Sequence, residues 1–187
     1  MDILIVVDMQ NDFVSGALGT PEAIDIVPYV VGRVLPRAER KIRSFEGLVL
    51  FTRDTHGPDY LDTQEGKRLP VPHCIGGTEG WEIIPQLQEY AAHPIDKPTF
   101  GSRELGALLK ARDEDLRKQG KPGVEKVTLI GVCTDICVLS NALLVKAFLP
   151  EAEIVVEAAR CAGVTPEAHR TALAAMGPCQ ITVIDEL

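Results

Sequence analysis

The stretch Gly131-Val132-Cys133-Thr134-Asp135-Ile136-Cys137-Val138 decides the fold, because an apolar strand ends there and a helix begins. The pattern predicts a strand over 127–132 and a helix over 135–148. Cys137 then lies in the first helical turn, where unpaired N–H groups favour a thiolate and lower the pKa of a thiol. We interpret this cysteine as a candidate nucleophile, and an inert thiol packed in the core is the other interpretation.

Short apolar runs alternate with helical patterns along the whole chain. The predicted strands cover 3–7, 48–52, 93–95, 127–132, 154–157 and 181–184, and the predicted helices cover 21–44, 81–89, 102–119, 135–148 and 165–176. Apolar strands interleaved with helices are typical of a parallel sheet covered on both faces. Ligands of such sheets bind beyond the carboxyl ends of the strands, so the residues that follow each strand are the first candidates for a site.

Composition excludes several classes of function. The 187 residues, 45% hydrophobic and 25% charged, predict a single globular domain over 1–187. A formal net charge of -8 with scattered basic residues argues against a nucleic-acid partner. The first apolar run is too short for a signal peptide and no run is long enough to span a bilayer, which predicts a cytoplasmic protein without a membrane partner. Five cysteines suit free thiols, and the absence of a phosphate-loop motif predicts no nucleotide cofactor.

Two charged residues stand at predicted strand ends. Asp8 directly follows the first strand, and Lys97 follows the third. Taken alone, the first is explained as a turn acid and the second as a solvated lysine. If both converge with Cys137 on one rim of the sheet, they provide a proton acceptor, a cation that stabilises the thiolate, and a nucleophile.

The segment 54–80 interrupts the alternation with a long loop, and loops of this length inside a compact domain are usually functional. Asp54 and His56 open the loop, and His73 lies further along it. Imidazole together with carboxylate suits zinc, iron or manganese. Either Glu65 or Asp62 is available to complete such a set, and a polar loop with hydrogen-bonded histidines is the other interpretation.

At these residues the chain resembles the isochorismatase-like cysteine hydrolases, a family that contains nicotinamidases and N-carbamoylsarcosine amidases. The resemblance implies a Rossmann-like three-layer α/β/α sandwich with a six-stranded parallel sheet, and a catalytic triad of Asp8, Lys97 and Cys137. It also implies a cis peptide bond between Val132 and Cys133. The similar motifs are Val6–Phe13, Thr52–His56, Pro72–Cys74, Lys97–Phe100 and Gly131–Val138.

The same resemblance implies further parts of the site. The backbone N–H groups of Cys133 and Cys137 are expected to form an oxyanion hole. A divalent metal is expected on Asp54, His56, Glu65 and His73, with Asp62 as the competitor of Glu65. Zinc is the metal expected first, with iron and manganese as alternatives. Members of the family often form dimers or larger assemblies, so a homo-oligomer is also predicted.

The substrate is the least determined part of the interpretation. Nicotinamidases usually carry an aromatic residue three positions before the last metal histidine, where this chain has Pro70 beside Leu69. Phe13 and Phe100 are the expected apolar wall for the substrate. The sequence predicts a cysteine-dependent amidohydrolase that releases ammonia from a small carboxamide through a thioester, with nicotinamide as the expected substrate in pyridine nucleotide salvage.

Two alternatives remain open at this point. One is a related C–N hydrolase that acts on carbamoyl or ureido compounds, with metal absent or incidental. The other is a non-enzymatic redox or metal sensor built on Cys133, Cys137 and the histidine-containing loop. Ammonia release from a panel of amides separates an enzyme from a sensor.

Overall fold

A six-stranded parallel sheet forms the centre of the computed structural model, which describes residues 1–38 and 47–185. The strands are β1 (Asp2–Val7), β2 (Gly47–Asp54), β3 (Ile95–Lys97), β4 (Lys126–Val132), β5 (Glu153–Ala162) and β6 (Ile181–Ile184). They lie in the order β3-β2-β1-β4-β5-β6, and every neighbouring pair is parallel. The parallel sheet predicted from the sequence is therefore confirmed.

Helices and short helical turns connect these strands within the described ranges. The α-helices are α1 (Asn11–Val14), α2 (Pro21–Asp25), α3 (Val27–Ala38), α4 (Gln64–Arg68), α5 (Pro85–Gln88), α6 (Arg103–Lys118), α7 (Leu139–Phe148) and α8 (Pro166–Met176). A π-helical turn, Thr134–Val138, joins β4 to α7, and short 3₁₀ turns lie at Tyr60–Asp62, Glu79–Trp81 and Gly177–Cys179. None of these helices is both long and apolar enough to cross a lipid bilayer.

Hydroxyl side chains fix where four of the helices begin. In each case the side-chain oxygen accepts a hydrogen bond from the backbone N–H three residues further on, which satisfies a donor that has no partner inside the helix. The capping residues are Thr20 before α2, Thr63 before α4, Ser102 before α6 and Thr165 before α8. Helix starts of this kind are encoded locally, so α6 and α8 begin within one residue of their predicted positions.

The core has two halves, one on each face of the sheet. Side chains alternate between the faces along a strand, and in β1 Ile3 and Ile5 pack with residues of α6, α7 and α8. Leu4 and Val6 point the other way and pack with residues of α3 and α5. Both faces of the sheet are therefore covered by helices, as the predicted three-layer α/β/α sandwich requires.

The strand order reverses between β1 and β4, and this is where a parallel sheet opens a crevice for ligands. Val7 and Gly131 are paired across the two strands. The backbone of Gly131 has a φ of +114°, and a Cβ placed there would lie 2.2 Å from the carbonyl oxygen of Val7. Only glycine fits this approach, so the glycine in the deciding stretch lets the ends of β1 and β4, which precede Asp8 and Cys133, approach each other closely.

Several predicted elements are displaced in the structure, and prolines explain two of the differences. The third strand was expected over 93–95 but runs from Ile95 to Lys97, because Pro94 has no N–H to donate to a ladder. The helix expected over 21–44 is divided into α2 and α3, since Pro28 is accommodated in the first turn of a new helix. Residues 39–44 of that prediction lie outside the described residues.

Two more predicted helices differ in their form. The helix predicted over 81–89 is reduced to the four residues of α5, preceded by a 3₁₀ turn. The helix predicted over 135–148 starts with the π-helical turn before it continues as α7. The peptide bond between Val132 and Cys133 is cis, as the resemblance implied.

Candidate active site

Three side chains from separate strand ends meet at the crevice, and we call Asp8, Lys97 and Cys137 the strand-end cluster. Lys97 Nζ lies 2.7 Å from Asp8 Oδ2 and 3.4 Å from Cys137 Sγ. Asp8 and Lys97 are at most 1% exposed, and Cys137 is 4% exposed. The structure thus brings together the acid, the cation and the thiol that the sequence placed after the first, third and fourth strands.

Neighbouring strands hold the carboxylate and the ammonium in place. Asp8 follows β1 with a positive φ of 48°, and Thr52 Oγ1 on β2 donates to Asp8 Oδ1 at 2.7 Å. Lys97 is the last residue of β3, two strands away from β1, and its side chain passes Asp54 on β2, whose Oδ1 lies 3.1 Å from Nζ. One buried ammonium therefore bridges carboxylates from two strands.

Charge and burial oppose each other in this cluster. Burial disfavours the ammonium of Lys97, but the carboxylates of Asp8 and Asp54 are among the groups that raise its pKa above its ordinary value, so it stays cationic. Burial raises the pKa of Asp8, and the charge of Lys97 limits that rise. Burial also disfavours the Asp54 carboxylate, yet the imidazole of His56 and the ammonium of Lys97 lower its pKa.

The thiol differs from the sequence-based expectation. A helix N-terminus was expected to lower the pKa of Cys137, but in the structure burial first, and then the negative charge of Asp8, raise that pKa well above its ordinary value. Lys97 opposes the rise without overcoming it. The expectation of a lowered pKa is therefore wrong, because the cysteine is only 4% exposed and lies beside a carboxylate. Activation requires the proton to leave during the reaction.

A second group of side chains lies next to the first, and we call Asp54, His56, Glu65 and His73 the loop cluster. One ligand atom from each of the four residues lies within 4.8 Å of all the others. His56 Nε2 is 2.9 Å from Asp54 Oδ2 and 3.7 Å from Glu65 Oε1. Of the two acids that the sequence offered for the fourth position, the structure brings Glu65 into the group.

The donor atoms of the loop cluster fit a divalent metal. His73 Nδ1 lies 2.8 Å from the carbonyl oxygen of Val71, which only accepts, so Nδ1 carries the proton and Nε2 keeps its lone pair. That Nε2 lies 3.8 Å from Asp54 and 3.9 Å from Glu65. His56 Nε2 is buried and has no aligned hydrogen-bond partner among the described residues. Two imidazoles beside two carboxylates are a ligand set that suits zinc.

A cavity of about 770 Å³ opens over both clusters. Its lining includes Cys133 and Cys137, whereas Asp8 and Lys97 are buried beneath that surface. Two N–H groups of the turn, those of Ile136 and Val138, already donate to Cys133 O. The oxyanion donors expected from the sequence are two other N–H groups, those of Cys133 and Cys137.

The aromatic wall expected from the sequence also lines this cavity. Phe13 is 8% exposed, and its ring centroid lies 5.5 Å from that of His73. Phe100 stands at the opening and is 44% exposed. Leu69 contributes to the lining beside the position of Pro70, where an aromatic residue was the family expectation. The apolar surface near the loop cluster is therefore aliphatic on one side.

Sequence reasoning missed two buried amides that support the clusters. Gln10 pairs with the backbone of Asp54, accepting from its N–H at 2.7 Å and donating to its carbonyl at 2.8 Å. Asn141 donates to Cys137 O at 2.8 Å and to Phe100 O at 3.1 Å, so it links α7 to the loop after β3. Both side chains are fully buried. An amide within an otherwise apolar helical face is the signal that identifies Asn141 from sequence.

The fold and the strand-end cluster define a parallel α/β protein with a buried thiol, lysine and carboxylate at the switch point of its sheet. The chain belongs to the isochorismatase family, since the model described as the isochorismatase domain matches residues 2–186. A streptothricin hydrolase from Streptomyces noursei is 31% identical over 143 residues, 74% of this chain but 42% of that protein. A nicotinamidase/pyrazinamidase from Mycobacterium tuberculosis is 28% identical over 153 residues, 76% of this chain and 77% of that protein.

Solved structures of the family superpose on nearly the whole chain. The nicotinamidase/pyrazinamidase of Bacillus subtilis gives a TM-score of 0.76 at 29% identity, covering 98% of this chain and 99% of that one. A pyrazinamidase of Pyrococcus horikoshii in complex with zinc gives 0.72 at 30% identity, covering 99% of each chain. The N-carbamoylsarcosine amidase of Thermoplasma acidophilum gives 0.67 at 28% identity, covering 100% of this chain and 98% of that one. The predicted family and fold are confirmed.

Proposed function

We propose that this protein is a cysteine-dependent amidohydrolase that releases ammonia from a small carboxamide, with nicotinamide as its best substrate. The observation that carries the proposal is the position of Lys97 Nζ, 2.7 Å from Asp8 and 3.4 Å from Cys137, beneath a ligand-sized cavity. Cysteine nucleophiles need a neighbouring base and a cation to form the thiolate. The similarity to nicotinamidases supports the choice of substrate.

The first step is proton transfer from Cys137 to Asp8. Burial raises the pKa of both groups, and the negative charge of Asp8 raises the pKa of the thiol further. Burial therefore makes Asp8 a stronger proton acceptor than an exposed carboxylate, and Lys97 remains cationic beside the thiolate that results. Thr52 fixes the orientation of the carboxylate through its hydrogen bond to Oδ1.

In the second step, the sulfur attacks the carbonyl carbon of the amide. The N–H groups of Cys133 and Cys137 donate to the oxygen that becomes negatively charged. Asp8 returns the proton to the amide nitrogen, the C–N bond breaks, and ammonia leaves behind a thioester on Cys137. Water, deprotonated by Asp8, then cleaves the thioester, which releases the carboxylic acid and restores the thiol.

The loop cluster is proposed to hold zinc through Asp54, His56, Glu65 and His73. When bound, the ion supplies a Lewis-acid site for an acceptor atom of the substrate, such as a pyridine nitrogen. The zinc complex of the Pyrococcus horikoshii pyrazinamidase supports this metal. The proton transfers described above use only residues of the strand-end cluster.

The test is ammonia release from a panel of amides by zinc-loaded protein. The panel contains nicotinamide, an aliphatic carboxamide and an N-carbamoyl amino acid, with Cys137→Ala protein as the blank. We expect the highest kcat/KM for nicotinamide. Turnover that persists in the Cys137→Ala protein, or no turnover of any amide by the wild type, contradicts the proposal.

A second candidate is hydrolysis of carbamoyl or ureido compounds. Pro70 and Leu69 stand where an aromatic residue would pack on a pyridine ring, and this favours a substrate without such a ring. The similarity to the N-carbamoylsarcosine amidase of Thermoplasma acidophilum agrees with this alternative. Clear turnover of the carbamoyl compound without nicotinamide hydrolysis would make it the better assignment.

A further inference from the structure

The π-helical turn that carries Cys137 is attached to α8 and to the loop before it by two side-chain hydrogen bonds. Thr134, the first residue of the turn, is fully buried, and its Oγ1 lies 2.8 Å from His169 Nδ1. Asp135 Oδ1 accepts a hydrogen bond from the N–H of Val164 at 2.9 Å. The mechanism proposed above assigns no role to any of these side chains.

Little space is left around Gly163, where the π-helical turn, the loop before α8 and the start of α8 meet. A Cβ at Gly163 would lie 2.8 Å from Asp135 Oδ1 and 2.9 Å from both the Cβ and the backbone nitrogen of His169. All three distances are shorter than real side chains tolerate without displacement. The turn, the loop and the start of α8 therefore fit directly against one another, so a movement of α8 is transmitted to the turn.

His169 is itself held firmly on the helix. It lies in the first turn of α8, where its N–H donates to Thr165 O at 2.9 Å, and Thr165 also caps the helix through its side chain. Burial lowers the pKa of His169, although Asp185 and Asp135 oppose this. The imidazole is neutral near pH 7, and one hydrogen bond joins it to the hydroxyl of Thr134.

We propose that His169 is a positioning residue for the hydrolysis assigned above, on which this inference rests. Through Thr134 it fixes the turn that carries the thiol and the N–H group of Cys137, directly after Cys133. Thr134 and His169 are absent from the lining of the cavity, whereas Cys133 and Cys137 belong to it. Loss of the hydrogen bond therefore lowers the rate of the chemical step and leaves substrate binding almost unchanged.

The magnitude follows from the sensitivity of an oxyanion hole to geometry. A misplacement of about 1 Å at a reacting group costs up to roughly a hundredfold in rate. We expect His169→Ala to lower kcat by about tenfold to a hundredfold, with KM within about twofold of the wild type. Thr171→Ala, an exposed substitution two residues further along α8, is the matched control and is expected to retain the wild-type kcat.

Conservative variants separate a positioning role from a merely structural one. The amide of asparagine reaches the position of the imidazole Nδ1, whereas the amide of glutamine reaches that of Nε2. Because Thr134 contacts Nδ1, we expect His169→Asn to recover most of kcat and His169→Gln to resemble His169→Ala. Equal kcat for the Asn and Gln variants overturns the proposal, as does a loss that is confined to KM.

A double-mutant cycle tests the link to the turn. If the hydrogen bond is the means by which His169 acts, Thr134→Val and the Thr134→Val/His169→Ala double variant lose as much kcat as His169→Ala alone. Losses that multiply in the double variant show that the two residues act separately, which contradicts the inference. Thermal unfolding of each variant identifies any protein that has failed to fold.

Alkylation by iodoacetamide tests the inference without any amide substrate. The turn holds Cys137 Sγ 3.4 Å from Lys97 Nζ, so a loosened turn weakens the stabilisation of the thiolate. We expect the pH midpoint of Cys137 alkylation, followed by peptide mass spectrometry, to rise in His169→Ala and return in His169→Asn. An unchanged midpoint overturns the positioning role, whereas a shifted midpoint in a protein that hydrolyses no amide overturns only the proposed function.

Discussion

The strand-end cluster and the loop cluster lie side by side, yet the chain builds them by different means. Asp8 and Lys97 are placed by the ends of β1 and β3, so the register of a parallel sheet sets the distance between them, and Cys137 is placed by the π-helical turn that follows β4. The loop cluster takes three of its four members from the segment after β2, where contacts such as the hydrogen bond from His56 N–H to Cys74 O at 2.9 Å fix the backbone. Loops vary more among related proteins than the strands that they connect. Under the proposed function, the strand-end cluster carries the chemistry and the loop cluster contributes to the choice of substrate.

Asp54 joins the two clusters. It ends β2, contacts Lys97 on one side and stands 2.9 Å from His56 on the other. A substitution confined to one cluster therefore distinguishes the role of that cluster from the role of its neighbour.

Removal of the nucleophile has the largest expected effect. Cys137→Ala lowers kcat by at least about 10⁴-fold, since loss of a nucleophile removes the covalent route altogether. Zinc content and the far-ultraviolet circular dichroism spectrum are expected to stay unchanged, because the loop cluster is not altered. Cys161→Ala and Cys179→Ala, one buried and one exposed, serve as controls that keep activity. An acyl adduct found on any cysteine other than Cys137 would contradict the assignment.

Removal of the two imidazoles tests the loop cluster. The His56→Ala/His73→Ala double variant is expected to lose zinc, from about one ion per chain to almost none, because only carboxylates remain as ligands. Elemental analysis after dialysis measures the zinc. Exposed His93→Ala is the control and is expected to keep its metal. Zinc content equal to that of wild type in the double variant excludes this cluster as the metal site.

Thr52→Val alters the proton acceptor and is expected to shift the pH profile. The hydroxyl donates to Asp8 and lowers the pKa of that carboxyl. Without this bond the pKa of Asp8 rises further, so Asp8 becomes protonated at a higher pH and the acidic limb of kcat/KM moves upward by about one pH unit. Activity falls at low pH and stays the same at high pH. An acidic limb at the wild-type position would show that another group controls it.

The smallest effect concerns the cavity wall. An aromatic residue at position 70 would supply a stacking partner for a pyridine ring, and such contacts contribute about 0.5–1.5 kcal/mol beyond area burial. We expect Pro70→Phe to raise kcat/KM for nicotinamide by up to about tenfold relative to an aliphatic carboxamide. Pro70→Leu, which restores flexibility without a ring, is the control. A gain of equal size in both variants would attribute the effect to the removal of proline.

Most of the fold was predictable because its signals are local. The apolar runs identify all six strands, and capping residues such as Ser102 and Thr165 place the starts of α6 and α8. The displaced elements are those whose limits depend on backbone partners, such as β3, which pairs with β2 only after Pro94. The division of 21–44 into two helices follows Pro28, which is accommodated in the first turn of α3, and the hydrophobic periodicity alone did not show it.

The sequence by itself determined the residue types of the site and their places at strand ends: Asp8 after β1, Lys97 at the end of β3, and Cys137 after β4. The choice between Glu65 and Asp62 was left open, because the distance between residues along a loop does not give their distance in space. Only the tertiary structure decided that choice.

The protonation of Cys137 depends in the same way on tertiary structure. A helix N-terminus predicts a lowered pKa, but the surrounding burial and the Asp8 carboxylate raise it instead. The sequence specifies which groups are present, whereas the electrostatic free energy of each group depends on what encloses it. The contact between His169 and Thr134 is of the same kind: 35 residues separate the two in sequence, and only the packing of α8 on the turn brings them to 2.8 Å.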